Sequence, residues 1–210
     1  MKIDRFKMIF WDFDGVIKES VSVKTEAFVE LFTPYGENVC NKVRGHHVEN
    51  AGISRFEKIP LYLKWSGIEP TKTIIDDICS RFNRIVKNKV INSDWVPGVE
   101  TFLHKNKKKI SFVIVSATPQ DELVDICQSL NIENCFLKIY GSPKSKSSAI
   151  KECMINFDIS PEKCVMIGDA KADINAAEEN NISFVLRRHQ YNKNLKIASN
   201  FCIIHDFYNF

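Results

Sequence analysis

Five side chains stand out by type and spacing. Asp12 and Asp14 flank one aromatic residue in Trp11-Asp12-Phe13-Asp14-Gly15-Val16, and in an extended segment residues i and i+2 face the same way. Asp169 and Asp173 form a second carboxylate pair in Gly168-Asp169-Ala170-Lys171-Ala172-Asp173, about one helical turn apart. Ser116 ends an apolar run, and Ala117, Thr118 and Pro119 follow it as the opening of a helix whose exposed N–H groups would attract an anion. Carboxylates converging with no cysteine or histidine among them make a hard-oxygen site suited to Mg²⁺. A divalent ion would also keep neighbouring carboxylates ionised and let a dianionic phosphate approach. Taken singly, each feature has a plainer reading. Asp12 and Asp14 fit a solvated turn, Ser116 a helix N-cap, and Asp173 a charge that favours a helix start.

Residues so far apart in sequence meet only if the fold delivers them to one edge. Met8-Ile9-Phe10-Trp11 is a continuous apolar run ending in Asp12, and the same form recurs at Ser111 to Val115 and Cys164 to Ile167. Such runs suit strands buried on both faces of a parallel sheet. Phe136 to Tyr140, Ile182 to Leu186 and Phe201 to Ile204 are further strand candidates. Helical patterns fall at Val99 to Asn106, Pro119 to Leu130, Ser147 to Phe157 and Asp173 to Asn180, the last with Ala176-Ala177 for close packing on a sheet. Strand and helix alternate from about residue 97 onward, the signature of an α/β doubly wound parallel sheet. Ligands in such sheets bind at the carboxyl ends of the strands, where Asp12, Ser116 and Asp169 would all lie. Residues 18 to 94 read differently, with apolar positions at helical spacing (Ala27, Phe28, Leu31, Phe32; Ile74, Ile75, Ile78, Phe82, Ile85) and no strand. The expected division is an α/β core from residues 1–17 and 95–210, with a helical insertion at 18–94 that returns near Trp95-Val96-Pro97-Gly98.

In order and spacing, these residues resemble the haloacid dehalogenase superfamily through all four of its motifs. Asp12-Phe13-Asp14-Gly15-Val16 is similar to its first motif, D-x-D-G-[TV], and Ser116 at the end of an apolar strand to its second. Lys146, followed by apolar Ala149, Ile150 and Cys153, is similar to the third, with Lys144 as a competitor. Gly168 to Asp173 is similar to the fourth, G-D-x-x-x-D. The resemblance implies Asp12 as nucleophile, Asp14 as general acid and base, and Ser116 and Lys146 as phosphoryl ligands. It implies a Mg²⁺ site from Asp12, Asp169 and the Asp14 backbone carbonyl, with Asp173 linked to it. An acidic residue two places after the nucleophile marks the phosphotransferases of the superfamily over its dehalogenases.

The insertion resembles the small helical cap of the phosphoglycolate phosphatase and β-phosphoglucomutase branch. Gly52-Ile53-Ser54-Arg55 is similar to the cap loop G-[VI]-S-R of the mutase-like members, which implies that Arg55 contacts a substrate anion, with Lys24, Arg44 and His47 as further candidates. Lys24 stands where the mutase has a hinge histidine, and Glu19-Ser20 replaces its Asp-Thr pair. These departures put a phosphatase acting on a small organic, sugar-type phosphate ahead of a sugar phosphomutase. A non-catalytic phosphate-sensing module on the same fold is the third reading. His46-His47 reads as a loop pair, and Phe28, Phe32 and Phe82 as core of the insertion.

Composition narrows the setting. At 210 residues and 44% hydrophobic content, the chain holds one substantial core, or one core and a small lobe. A net charge of +3 over 29 basic and 26 acidic side chains is too evenly mixed to point to nucleic acid. Lys105 to Lys109, broken by Asn106, reads as a solvated helix end. Seven cysteines without a C-x-x-C pair argue against zinc or a disulfide framework and for a reducing cytoplasm. No stretch has the length of a membrane span or the form of a leader. The expected protein is cytoplasmic, a monomer or weak dimer, with a phosphorylated small molecule as its partner.

Overall fold

The computed structural model describes residues 3–50, 53–196, 199 and 201–208. Six strands, β1 (Met8–Trp11), β2 (Ser111–Pro119), β3 (Lys138–Ser142), β4 (Cys164–Gly168), β5 (Ser183–Arg187) and β6 (Cys202–Ile204), form one parallel sheet in the order β3-β2-β1-β4-β5-β6. All four residues of β1 are buried, and their alternation divides the core. Met8 and Phe10 face a cluster with Val113, Met166 and Phe184, closed by Ala149, Ile150 and Cys153 of α7 (Lys146–Asn156) and Ala176 and Ala177 of α8 (Lys171–Glu179). Ile9 and Trp11 face the opposite cluster with Phe112, Ile114 and Val165, closed by Phe102 and Leu103 of α5 (Val99–Asn106) and Leu123 and Ile126 of α6 (Gln120–Ser129). Helices therefore cover both faces, and the continuous apolar runs follow from that double burial.

Strand order reverses direction at β1, which has β2 on one side and β4 on the other. The crevice beyond their carboxyl ends is where an open α/β sheet takes its ligand. Between β1 and α5 the chain forms α1 (Val21–Phe32), α2 (Glu37–Glu49), α3 (Arg55–Trp65) and α4 (Lys72–Ile91), with no strand among their described residues. Phe28, Phe32, Tyr62 and Phe82 pack together at their centre. The two connections to this helical part run side by side, with Glu19 N–H on the Asp94 carbonyl at 2.9 Å and Val96 N–H on the Ile17 carbonyl at 3.0 Å.

Several boundaries differ from expectation. β2 does not end at Ser116 but runs to Pro119, with a register shift after Val115. α6 accordingly starts at Gln120, so Ala117 and Thr118 are extended backbone and not the opening of a helix. Proline at 119 accounts for this, because it disfavours helical geometry in the residue before it. β3 lies two residues later than Phe136 to Tyr140. His46 and His47 are in the last turn of α2, not in a loop. Asn181 adopts a φ of +54°, a turn conformation asparagine tolerates.

Candidate active site

Asp12 lies one residue beyond β1, and its N–H still bonds the Ile167 carbonyl of β4 at 2.9 Å. The ladder itself thus sets Asp12 beside the Gly168-Asp169 corner. Asp12 Oδ1 accepts from the Phe13 N–H at 2.8 Å and from Lys146 Nζ at 2.9 Å. Lys146 is the first residue of α7, which Ser145 starts by accepting the Ser148 N–H at 3.1 Å. The same ammonium bonds Asp173 Oδ1. Asp173, in the first turn of α8, accepts the N–H of Asp169 at 3.2 Å and of Ala170 at 3.0 Å through Oδ2. One oxygen each of Asp12, Asp169 and Asp173 lie within 4.8 Å of one another, all three residues buried.

Two glycines make this approach possible. A Cβ on Gly15, whose φ is +75°, would lie 2.4 Å from Asp169 Oδ2. One on Gly168 would lie 2.3 Å from the Asp173 Cβ. Any side chain at either position would force the carboxylates apart.

Of these three buried carboxylates, Asp12 and Asp173 share the Lys146 ammonium while Asp169 pairs with His189, and their proton affinities record it. Burial, and next the Asp173 charge, push Asp12 up to about 7 against the pull of Lys146. Burial raises Asp169, with the hydrogen bond from His189 opposing it, and burial raises Asp173 against the Lys146 charge. Burial disfavours the Lys146 cation too, but Asp12 and Asp173 outweigh it and hold its pKa above the ordinary lysine value. An acidic excess with oxygen donors and no sulfur fits a hard divalent cation such as Mg²⁺.

Asp14 is in a different environment. Its carboxylate faces the helical part of the chain, accepting from Lys24 Nζ, from Ser20 Oγ at 2.5 Å and from Thr118 Oγ1 at 3.3 Å. Burial alone would raise its pKa, but the Lys24 charge and these three donors bring it below the usual carboxylate value. Lys24 also donates to Thr118 Oγ1 at 2.7 Å. Ser116 Oγ turns back on its own strand, accepting the Thr118 N–H at 3.1 Å. Thus Asp12 and Asp14, two residues apart, occupy opposite electrostatic regimes.

The wall opposite Asp14 is built of basic side chains. Lys24, His47, Arg55 and Lys58 line, with Asp14, Phe28, Phe82, Ala117 and Thr118, a cavity of about 30 Å³, room for about one water molecule. Arg55 is the first residue of α3, and its guanidinium is already engaged. It bonds Glu122 of α6 at 2.8 Å and Asn83 of α4, and it stacks 4.4 Å over Phe82. Lys58 Nζ and His47 Nδ1 are 2.9 Å apart. Burial and the Lys24 charge lower Lys58 to about 7, while burial and the Lys58 charge hold His47 well below its ordinary value.

The structure therefore gathers Asp12, Lys146, Asp169 and Asp173 on one side and Asp14, Lys24 and Arg55 on the other, with Ser116 and Ala117 between them on β2. Ser116, Ala117 and Lys146 also line a second pocket of about 310 Å³ that opens past Ser54 and Ser142. Lys146, and not Lys144, reaches Asp12; Lys144 pairs with Glu152 beside Tyr140. Arg44 is half exposed and pairs with Glu26. Gly52 of the cap-loop motif lies outside the described residues. Thr118, Glu122, Lys58 and His189 escaped the sequence reading. The i, i+2 rule that linked Asp12 to Asp14 also links Ser116 to Thr118 on an extended strand. His189 follows the carboxyl end of β5, a position the strand-end rule also covers.

Comparison with known proteins agrees with this architecture. Residues 9–186 match the family model of haloacid dehalogenase-like hydrolases. No curated protein sequence matches the chain significantly. Among solved structures, a predicted phosphoglycolate phosphatase from Haemophilus somnus is 19% identical with a TM-score of 0.76, over 97% of this chain and 95% of that one. β-Phosphoglucomutase from Clostridium difficile is 20% identical with a TM-score of 0.76, over 96% and 92%. CbbY from Rhodobacter sphaeroides, solved with xylulose-1,5-bisphosphate, is 16% identical with a TM-score of 0.78, over 96% and 95%. These structures share the fold, and the family model spans every strand from β1 to β5 and the acidic residues at their ends; the chain belongs to the haloacid dehalogenase-like hydrolases.

Proposed function

We propose that the protein is a phosphohydrolase that takes the phosphoryl group of a small, sugar-type phosphate monoester onto Asp12 and passes it to water. The observation that carries this reading is the contrast between Asp12, held by Lys146 in an acidic cluster, and Asp14, held by Lys24 two residues away. An Asp12 oxygen attacks phosphorus as the bond to the ester oxygen breaks, and Asp14 gives that oxygen its proton. Water then attacks the same phosphorus, Asp14 takes its proton, and the bond to Asp12 breaks to release inorganic phosphate. A substrate anion entering the cavity competes with Asp14 for Lys24, which raises the Asp14 pKa and readies it as an acid.

Lys146 and the backbone of Ser116 and Ala117 receive the phosphoryl oxygens, and the 310 Å³ pocket that already touches them is their approach. Asp12 and Asp169, with the Asp14 carbonyl, are the residues to hold Mg²⁺, while Asp173 fixes Lys146 and the turn at Asp169. When bound, the ion supplies charge neutralisation for the carboxylates and the transferring group.

Residues 18–94 serve as a helical cap over the core of residues 1–17 and 95–210. The Arg55–Glu122 and Lys87–Asp125 pairs join the two in the present closed arrangement, and a cavity with room for one water requires the cap to move for substrate to enter. Arg55, paired with Glu122 and Asn83 here, is released to meet a substrate anion when that movement opens the pair, and the departures at Lys24 and Glu19-Ser20 put hydrolysis ahead of mutase chemistry. The sugar-type assignment draws on the sugar bisphosphate held by CbbY and the sugar-phosphate chemistry of the phosphoglucomutase. Seven free cysteines support a reducing, cytoplasmic setting for a monomer or weak dimer, and no described helix is long and apolar enough to cross a membrane.

The test is phosphate release from p-nitrophenyl phosphate and a sugar-phosphate panel with Mg²⁺, by wild type and Asp12→Asn. Release by the wild type and its loss in Asp12→Asn are expected. No release from any compound, or undiminished release by Asp12→Asn, would refute the proposal, and a cellular role that survives Asp12→Asn would indicate a non-catalytic sensing module.

A further inference from the structure

His189 follows β5 and belongs to none of the motifs that the sequence resembles. Its Nε2 is 2.8 Å from Asp169 Oδ2, and both side chains are buried. The other ring nitrogen settles which proton the ring carries. The Tyr191 N–H donates to His189 Nδ1 at 3.1 Å, which makes Nδ1 an acceptor and leaves the hydrogen on Nε2, aimed at the carboxylate. The loop that presents the ring is itself pinned to the same aspartate. Asn192 Nδ2 donates to the Asp169 carbonyl at 2.7 Å and to the Arg187 carbonyl at 2.8 Å, and the His189 N–H donates to Asn192 Oδ1 at 2.9 Å. Arg188 closes the loop by donating to the Leu195 carbonyl at 3.0 Å. Two side chains of one loop thus hold Asp169 at both its carboxylate and its backbone.

We propose that His189 is a positioning residue for the metal-binding aspartate, fixing the plane of the Asp169 carboxylate through an Nε2–H donor whose tautomer the Tyr191 N–H dictates. This inference rests on the reading of Asp12 and Asp169 as cation ligands. A carboxylate held by a fixed donor loses less freedom when a cation binds, and outer partners of this kind are worth about 10- to 100-fold in metal affinity. The imidazole also lines, with Asp169 and Asn192, a pocket of about 380 Å³.

The test uses Mn²⁺ as probe, with free ion quantified by its paramagnetic resonance signal, and needs no turnover. Wild type should bind Mn²⁺, His189→Ala should bind it about 10- to 100-fold more weakly, and His189→Gln, which keeps an N–H donor, should recover most of the loss. Equal Mn²⁺ affinity in wild type and His189→Ala would overturn the proposal even if His189→Ala melts lower, because a purely structural ring would change stability and leave affinity alone. If wild type binds Mn²⁺ no better than Asp169→Asn, the metal-site reading itself fails and this inference with it. Independently of any metal, the ¹⁵N resonances of the His189 ring in the metal-free protein should show the Nε2–H tautomer. The Nδ1–H form would equally overturn the proposal.

Discussion

Without a bound cation, the protein should lose stability as pH rises through the neutral range, and Asp12 supplies a calculable part of that fall. Its folded pKa is raised from 3.8 to about 7, chiefly by burial, so the folded state holds the Asp12 proton more tightly than the unfolded chain does. Stability from this group is greatest below the unfolded value and is lost as pH rises through the folded one. At about 1.4 kcal/mol per unit, the full displacement corresponds to roughly 4 kcal/mol, of which roughly 2–3 kcal/mol is lost between about pH 5 and pH 8. Lys58 and His47 also titrate differently in the two states, so the measurement must be differential. Asp12→Asn imitates the protonated carboxyl at every pH. Urea unfolding of wild type and Asp12→Asn in EDTA should therefore show the variant gaining on wild type by roughly 2–3 kcal/mol from about pH 5 to pH 8. Added Mg²⁺ should shrink the gap by stabilising only the wild type strongly. A stability difference that stays constant with pH in EDTA would refute the claim that the acidic cluster is electrostatically unbalanced without a cation.

Three further outcomes follow from the partition of charges around the cleft. Arg55→Ala leaves Glu122 buried without its partner and should cost about 3–5 kcal/mol of stability, whereas Arg55→Met with Glu122→Met should recover most of it in thermal unfolding. Failure of the double variant to recover would mean that the pair's packing on Phe82, and not its charge, is what matters. Asp14→Asn should lower kcat by about 10²- to 10⁴-fold. Lys24→Met removes the charge that depresses the Asp14 pKa, so the limb of the pH–rate profile that reports Asp14 ionisation should move to higher pH, and an unmoved limb would disprove the coupling.

The sheet and the edge that carries the acidic residues were legible because both depend on local pattern. Continuous apolar runs at Met8 to Trp11 and Cys164 to Ile167 can be buried only between two layers, and that requirement marks the strands whose ends carry Asp12 and Asp169. The helical nature of residues 18 to 94 was legible for the same reason, since a 3.6-residue repeat of apolar side chains has no other use there. Proline at 119 is part of the same local pattern, and its consequence differs from the expected helix opening. It begins no helix at Ala117, because restriction of the preceding residue keeps β2 extended to the turn.

What chain pattern could not supply was the pairing of groups that lie far apart along it. Nothing near Arg55 in sequence tells that Glu122, on the other side of the cleft, holds its guanidinium. Nothing near Asp169 tells that His189 and Asn192 fix it from the next strand's loop. Residue types at fixed spacing determined the fold, the acidic cluster and the kind of cation that suits it. Charge balance, the different proton affinities of Asp12 and Asp14, and the commitment of Arg55 were decided by tertiary structure, because desolvation and Coulomb forces act through distances that only the folded chain defines.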